Sequence, residues 1–175
     1  MSLYILPLSL NRQSSSKEVR YLKNTDIVMA WGEWLRQWKW DWWTTLTFRY
    51  PVSSRQAHRL WKRWLHALES EVHGKVHYVR GTELQKFRGD IPHYHALIKG
   101  VKGQTPRVWE RVWHGIGGLA KIDDYDVHLG ASYYLAKYYA MGLGDIILSK
   151  GLEKLFCPVS NSSEAASPKC KGQEI

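Results

Sequence analysis

Two short segments in the middle of the chain, Val76-His-Tyr-Val-Arg-Gly-Thr-Glu83 and His93-Tyr-His-Ala-Leu-Ile98, decide the fold. Both are rich in β-branched and aromatic residues, which are typical of strands. The link between them, Phe87-Arg-Gly-Asp-Ile-Pro92, carries the turn formers Gly89 and Pro92. The sequence therefore predicts an antiparallel hairpin at the centre of the protein.

Outward from this hairpin, hydrophobic periodicity predicts alternating helices and strands. The predicted helices cover 25–37 (capped by Thr25 or Asp26), 54–72, 105–113 and 126–141. The predicted strands cover 42–48, 76–83, 93–98 and 117–122, with a further short apolar segment at 146–156. Helices flanking strands around one hairpin indicate an α+β sandwich with a mainly antiparallel sheet, similar to ferredoxin-like or RNA-recognition-motif layouts.

Length and local composition indicate one domain with polar ends. The chain has 175 residues, which fits the roughly 100–200 residues of a typical domain. We expect a loosely ordered arm at 1–24 and one folded domain at 25–156. The Ser-, Asn- and Lys-rich residues 157–175 predict a disordered tail.

Several classes of protein are disfavoured. No apolar run approaches the roughly 20 residues of a membrane helix. The apolar start is broken by Pro7 and has no basic beginning, so a secretory signal is not expected. Cys157 and Cys170 form no CxxC pair, which argues against a disulfide framework or a cysteine zinc site. We therefore expect a cytoplasmic protein with no membrane contact, and a monomer by default.

The charge and the aromatic content favour a nucleic-acid partner. The formal charge is +9, and the chain has ten Trp and ten Tyr, which would suit a polyanion with bases to stack on. Aromatic residues also commonly fill cores, so the Trp-rich stretch 31–43 fits either role. One face of the helix 54–72 is basic and is either a solvated face or a phosphate-binding one. The candidate DNA-binding residues are Arg55, Arg59, Lys62 and Arg63.

His93 and His95 form a candidate metal pair. Residues i and i+2 of a strand face the same side, so both imidazoles project together while Tyr94 points toward the core. Glu83 lies on the preceding strand and can sit beside them, although Gln85 could replace or supplement it. Two nitrogens and one oxygen suit Mn²⁺, Zn²⁺ or Mg²⁺. The alternative is a pair of ordinary strand histidines.

A second cluster lies on the helix 126–141. Tyr134 and Tyr138 are i and i+4, on one helical face, and Lys137 lies beside Tyr134. An ammonium is costly to bury, which argues against full burial of this pair. It also favours the phenolate form of a nearby tyrosine, so tyrosine, lysine and a metal ion together suit attack on a phosphodiester. Tyr133 and Tyr139 are rotated away and are expected to pack in the core.

Three segments in this order resemble the three motifs of the HUH endonucleases, in particular the rolling-circle replication initiators (Rep proteins) of small phages and plasmids. They are Thr44-Thr-Leu-Thr-Phe48, then Glu83 with Pro92-His-Tyr-His95, and then Tyr134-Leu-Ala-Lys-Tyr138. The resemblance covers about residues 42–142. It implies metal-dependent nicking and joining of single-stranded DNA, or of an origin hairpin, through a 5′-phosphotyrosine link that leaves a free 3′-OH.

The same resemblance implies a role for each residue. His93, His95 and Glu83 would hold Mg²⁺ or Mn²⁺, and Thr47 and Phe48 would belong to a structural strand beside the site. Tyr134 would attack first, Tyr138 second, and Lys137 would contact the phosphate or tune the tyrosine. The chain has no GxxxxGK[ST] phosphate loop, so a host or partner helicase and a polymerase are expected as partners.

Two other functions fit parts of the pattern. A single-tyrosine HUH transposase of an insertion sequence would show the same motif order, although Lys137 and the second tyrosine favour a replication initiator. A non-catalytic module that binds single-stranded nucleic acid would need only the positive charge and the aromatic residues.

Overall fold

The computed structural model describes residues 16–85, 91–140 and 145–152. The predicted tail at 157–175, the first fifteen residues of the predicted arm and most of the predicted turn, residues 86–90, lie outside the described residues. The side chains of Gln85 and Tyr139 also lie outside what is described.

Four helices and five strands make up the described fold. The helices are α1 (Ser16–Arg36), α2 (Ser54–Glu71), α3 (Pro106–Ile116) and α4 (Ala131–Ala140). The strands are β1 (Trp42–Phe48), β2 (His77–Gln85), β3 (Ile91–Lys99), β4 (Gly118–Asp124) and β5 (Ile146–Leu148). A single 3₁₀ turn, Val127–Leu129, precedes α4.

The strands form one antiparallel sheet in the order β4-β1-β3-β2-β5. The elements from β1 to β4 follow the β-α-β-β-α-β order of a ferredoxin-like unit. This confirms the predicted α+β fold with a central antiparallel sheet flanked by helices. Helices α2 and α3 cover one face of this sheet, whereas α1 and α4 pack on the other face and β5 extends the edge at β2.

The alternation of side chains along β1 separates the two faces. Trp42, Leu46 and Phe48 are buried in the core under α2 and α3, whereas Thr45 and Thr47 point to the opposite face with a period of two. The helical core is largely aromatic: Trp61, Trp64, Trp109 and Trp113 lie in it. Seven of the ten tryptophans are buried, so most of the unusual tryptophan content fills the interior rather than a DNA-binding surface.

Helix α2 forms for reasons that the sequence makes plain. The hydroxyl of Ser53 accepts a hydrogen bond from the amide of Gln56 and caps the first turn. The apolar residues recur at helical spacing, so one face packs on the sheet. The buried members of that face are Ala57, Trp61, Trp64, Leu65 and Leu68.

Two helix boundaries differ from the prediction. Helix α1 begins at Ser16, so Thr25 and Asp26 lie inside it and residues 16–24 are helical rather than part of a loose arm; Lys, Glu, Arg and Leu in this stretch are good helix formers. The predicted helix 126–141 is divided at Gly130, which adopts a left-handed conformation with φ of 72°. None of the described helices is long and apolar enough to cross a membrane.

Two neighbouring glycines provide a test of how β4 is seated. A Cβ at Gly118 would collide with the carbonyl oxygen of Thr47 and lie 2.6 Å from the amide nitrogen of Arg49, whereas a Cβ at Gly115 would meet nothing within 4 Å. We expect Gly118→Ala to lower the free energy of unfolding by about 1–3 kcal/mol through overpacking. Gly115→Ala, in α3, should raise it by up to about 1 kcal/mol through helix propensity.

The two variants are compared by urea denaturation. Equal effects of the two substitutions would show that backbone contact at Gly118 does not seat β4 against β1.

Candidate active site

Strand β3 presents both predicted histidines on the face that α4 partly covers. The rings of His93 and His95 lie nearly parallel, with centroids 6.3 Å apart, and both residues are buried. Tyr94 points to the opposite face and packs edge-on against Phe48 in the helical core. The predicted alternation of the His-Tyr-His segment is therefore confirmed.

Two threonines on β1 fix the orientation of these rings. Thr47 pairs with His93 and Thr45 with His95 in the register of β1 and β3. The Oγ1 of Thr47 lies 2.8 Å from Nδ1 of His93, and the Oγ1 of Thr45 lies 3.2 Å from Nδ1 of His95. Such a partner on one ring nitrogen orients the other for ligand binding. The sequence analysis placed Thr47 beside the site but missed Thr45, which the two-residue period of β1 could have identified.

Glu83 lies directly across from His93 in the register of β2 and β3. Its Oε2 is 3.1 Å from Nε2 of His95. Burial raises the pKa of the Glu83 carboxyl, but hydrogen bonds from Tyr138 and His95 outweigh this effect, so the pKa is lower than its ordinary value. The carboxylate form is thus favoured beside the histidines, as expected for Glu83.

The hydroxyl groups of the two tyrosines on α4 connect to this carboxylate. The Oη of Tyr138 is 2.7 Å from Oε2 of Glu83 and 2.7 Å from Oη of Tyr134. A carboxylate can only accept hydrogen bonds, so Tyr138 donates to Glu83. With its single proton used there, Tyr138 accepts from Tyr134. The three residues therefore form one directional chain, from Tyr134 through Tyr138 to Glu83.

The two tyrosines differ in exposure. Tyr134 is 41% exposed, whereas Tyr138 is 4% exposed. Burial, together with the hydrogen bonds to Tyr134 and Glu83, raises the pKa of the Tyr138 phenol well above its ordinary value. The expectation that Lys137 keeps both tyrosines out of the interior is therefore wrong for Tyr138. Lys137 is exposed, since neighbouring helix positions point in different directions.

Trp43 is a further site residue, which the sequence analysis did not single out as one. Its ring stacks on His95 at 5.5 Å with an interplanar angle of 8° and meets Tyr134 edge-on at 6.0 Å. His95 also stacks on Tyr138 at 5.8 Å. The imidazole of His95 thus lies between an indole and a phenol, which limits its movement.

Contacts with α1 and β2 set the position of α4. A Cβ at Gly81 would lie 2.7 Å from Cδ1 of Leu135, so only glycine lets α4 lie this close to β2. The hydroxyl of Tyr133 donates to Glu33 on α1 and accepts from Arg36. The expected packing role of Tyr133 is therefore seen at the α1–α4 contact rather than in the centre of a core.

The predicted DNA-binding residues lie elsewhere. They project from the solvent side of α2, on the sheet face opposite His93 and Tyr134, and all four are exposed. They are Arg55, Arg59, Lys62 and Arg63. The structure therefore does not bring the basic helix and the tyrosines into one cluster.

The donor set fits a divalent ion in its chemistry but is not drawn together into a finished cage. Among the described residues, no group of three or more His, Cys, Asp or Glu side chains converges as a metal site. Glu83 turns its Oε2 to Tyr138 and His95. His93, His95 and Glu83 nevertheless offer two imidazoles anchored through Nδ1 and one carboxylate on a single face, which suits Mn²⁺ or Mg²⁺ with positions left open.

The contact between Glu83 and His95 predicts a pKa effect. Burial lowers the pKa of the His95 imidazole, and the nearby charge of Glu83 opposes this. In metal-free protein, Glu83→Gln should lower the pKa of His95 further. Because the unfolded chain binds this proton more readily, stability should fall as the pH drops below about 6.5.

The measurement is an NMR titration of the imidazole protons, combined with thermal unfolding across the same pH range. Glu33→Gln, on α1, is the matched control and should leave His95 unchanged. A rise in the His95 pKa in Glu83→Gln would contradict the assigned contact.

Comparison with known proteins agrees with these features. No curated protein and no solved structure shows a significant match to the chain. The family model for the replication-associated protein ORF2 matches residues 41–142, more than half of the chain. The match spans β1 to α4, including every motif residue, and confirms the resemblance to rolling-circle replication initiators. The chain therefore belongs to the replication-associated protein ORF2 family.

Proposed function

We propose that this replication-associated protein is a metal-dependent endonuclease that nicks and rejoins single-stranded DNA to initiate rolling-circle replication. The observation that carries the proposal is the hydrogen-bonded chain from Tyr134 through Tyr138 to Glu83, beside two anchored histidines. A nucleophile, a proton path and candidate metal ligands are thereby placed on one face of the sheet.

Tyr134 is the proposed first nucleophile, because its side chain is the exposed member of the pair. Its Oη attacks the scissile phosphorus, and a phosphotyrosine bond forms as the bond to the 3′-oxygen breaks. The leaving oxygen takes up a proton to give a free 3′-OH that can prime a polymerase. One phosphodiester replaces another, so the energy for rejoining is kept in the covalent intermediate without ATP.

The proton lost by Tyr134 has a direct acceptor. Tyr138 already accepts a hydrogen bond from Tyr134 and donates one to Oε2 of Glu83. As Tyr134 attacks, its proton can pass to Oη of Tyr138 while the proton of Tyr138 moves onto Glu83. This relay needs no free phenolate on Tyr138, whose raised pKa disfavours one.

His93, His95 and Glu83 would hold the divalent ion. When bound, the ion supplies Lewis-acid polarisation of the scissile phosphate. In neutral His95, Nε2 carries the hydrogen bonded to Glu83 and Nδ1 accepts from Thr45. Metal binding at Nε2 would move that hydrogen to Nδ1, where Thr45 can accept it.

Tyr138 is proposed to make the second attack, and Lys137 to contact the phosphate. The second attack requires Tyr138 to leave its contact with Glu83 and become accessible, whereas Lys137 is already exposed on the same helix. The basic face of α2 is proposed to bind DNA phosphates away from the cut. A host or partner helicase and a polymerase would act with the protein.

The test is formation of a covalent protein–DNA adduct. Fluorescent single-stranded oligonucleotides, from a random pool and from hairpins, are mixed with protein in Mn²⁺ or EDTA and run on a denaturing gel. Wild type should give a heat-stable band in Mn²⁺ only. Tyr134→Phe should lose it by at least about 10³-fold, because the nucleophile is gone, and Tyr138→Phe should slow it about 10–100-fold, because the relay is broken.

Tyr133→Phe is the matched control, since it keeps the ring and lies outside the relay. A band that persists in Tyr134→Phe but is lost in Tyr138→Phe would reverse the assigned order of the nucleophiles. Salt-sensitive binding without any adduct would instead support a non-catalytic module. A wild-type reaction cycle unaffected by Tyr138→Phe would support single-tyrosine chemistry of the transposase type.

The basic face of α2 gives a separate prediction. Arg59→Gln with Lys62→Gln should weaken DNA binding, and the slope of log K against log salt should fall by about 1.4 for two phosphate contacts to a single strand. Fluorescence anisotropy over a salt series measures both. Lys102→Gln, in the loop after β3, serves as a control; an unchanged slope in the double variant would mean that α2 carries a solvated face only.

A further inference from the structure

A cavity of about 200 Å³ opens where β1 leaves the sheet, and it takes no part in the tyrosine site. Its wall combines the residues after β1, the first turns of α2 and the end of α3. The residues that determine its chemistry are Arg49, Tyr50, Gln56, Leu60, His114 and Ile116. The volume is below the roughly 300–1,000 Å³ of sites for drug-sized ligands, so the cavity fits one ring-sized group.

Arg49 is a fixed cation at the rim of this cavity. Its Nη2 donates to the carbonyl oxygen of His114 at 3.0 Å. Its backbone amide donates to the carbonyl oxygen of Gly117 at 2.8 Å. The guanidinium is therefore oriented at the end of α3 and retains further N–H donors. Such a group is suited to an anionic oxygen such as that of a phosphodiester.

The rest of the wall is suited to a flat heterocycle. Tyr50 is 69% exposed, and an exposed ring can stack on a base of any type. The amide of Gln56 offers both a donor and an acceptor, the combination that reads the edge of a base. Leu60 and Ile116 are partly buried against the helical core and form an apolar floor.

The cavity lies between two regions to which the proposed function already assigns DNA contacts. Thr47, which holds His93, is two residues before Arg49, about 7 Å along an extended strand. On the other side, Arg55 and Arg59 flank Gln56 within the first turns of α2. A strand that follows the basic face of α2 to Tyr134 must pass round this end of β1.

We infer that this cavity binds one nucleobase of single-stranded DNA close to the scissile phosphate, with an adjacent phosphate on Arg49. The inference rests on the proposed function and deepens it, because it names a place where the sequence of the strand is read. Tyr50 supplies affinity that is independent of base type, and Gln56 supplies the preference among bases.

The experiment measures equilibrium binding without cleavage. Fluorescein-labelled oligo-dA, oligo-dC and oligo-dT are titrated in EDTA with the full chain carrying Tyr134→Phe, and anisotropy is recorded at one fixed salt concentration. Tyr50→Ala, Tyr50→Phe and Gln56→Ala are added to this background. Gln37→Ala, an exposed glutamine outside the cavity, is the matched control, and thermal melts check that each variant is folded.

We expect Tyr50→Ala to weaken binding of all three probes about tenfold and Tyr50→Phe to bind as the parent does. Gln56→Ala should reduce the difference between the best and the worst probe by about fivefold or more, with little effect on the weakest one. The inference is overturned if Tyr50→Ala and Gln56→Ala bind all three probes as the parent does. It is also overturned if Gln37→Ala reduces the preference as much as Gln56→Ala.

Failure of this inference is distinguishable from failure of the proposed function. An adduct in wild type, with cavity variants that bind normally, removes the nucleobase site but keeps the endonuclease. Altered binding in the cavity variants, with no adduct from any pool, keeps the nucleobase site and removes the endonuclease.

Discussion

The register of three adjacent strands is the constraint on which the candidate site depends. Thr47 on β1 pairs with His93 on β3, and His93 pairs with Glu83 on β2. Because side chains alternate with a period of two, a slip of one residue in either ladder would send one of these groups to the opposite face. The hydrogen bond from Thr47 to His93 and the proximity of Glu83 to His95 both follow from this alignment.

The register is held by the opposite face of the same strands. There Tyr94, the residue between the two histidines, packs against Phe48, and the guanidinium of Arg80 lies 3.9 Å from the centroid of its ring. Trp61 of α2 completes the contact at 6.0 Å. Dense aromatic packing on one face thus fixes strands whose other face carries polar groups. This division lets a buried pair of histidines exist without forming part of the hydrophobic core.

Local patterns in the sequence were sufficient to predict the strands, the amphipathic helix α2 and the shared face of His93 and His95. They could not predict what depends on distance in space. Thr45 and Trp43 are ordinary strand residues until β1 is aligned with β3, and Trp43 becomes a site residue only because His95 lies under its ring. The start of α1 at Ser16 was missed because a cap was sought at Thr25, although the preceding residues favour a helix equally well.

The paired tyrosines show most clearly how the sheet alters a sequence motif. Positions i and i+4 share a helical face, so the sequence treats Tyr134 and Tyr138 as equivalent. Helix α4, however, lies against β2 at Gly81, and Tyr138 reaches the carboxylate while Tyr134 stays at the surface. One phenol is therefore accessible to a substrate, and the other is engaged with Glu83 and has a raised pKa. In the proposed reaction the two tyrosines consequently cannot begin as interchangeable nucleophiles, because only one can meet the phosphate before the other has left the carboxylate.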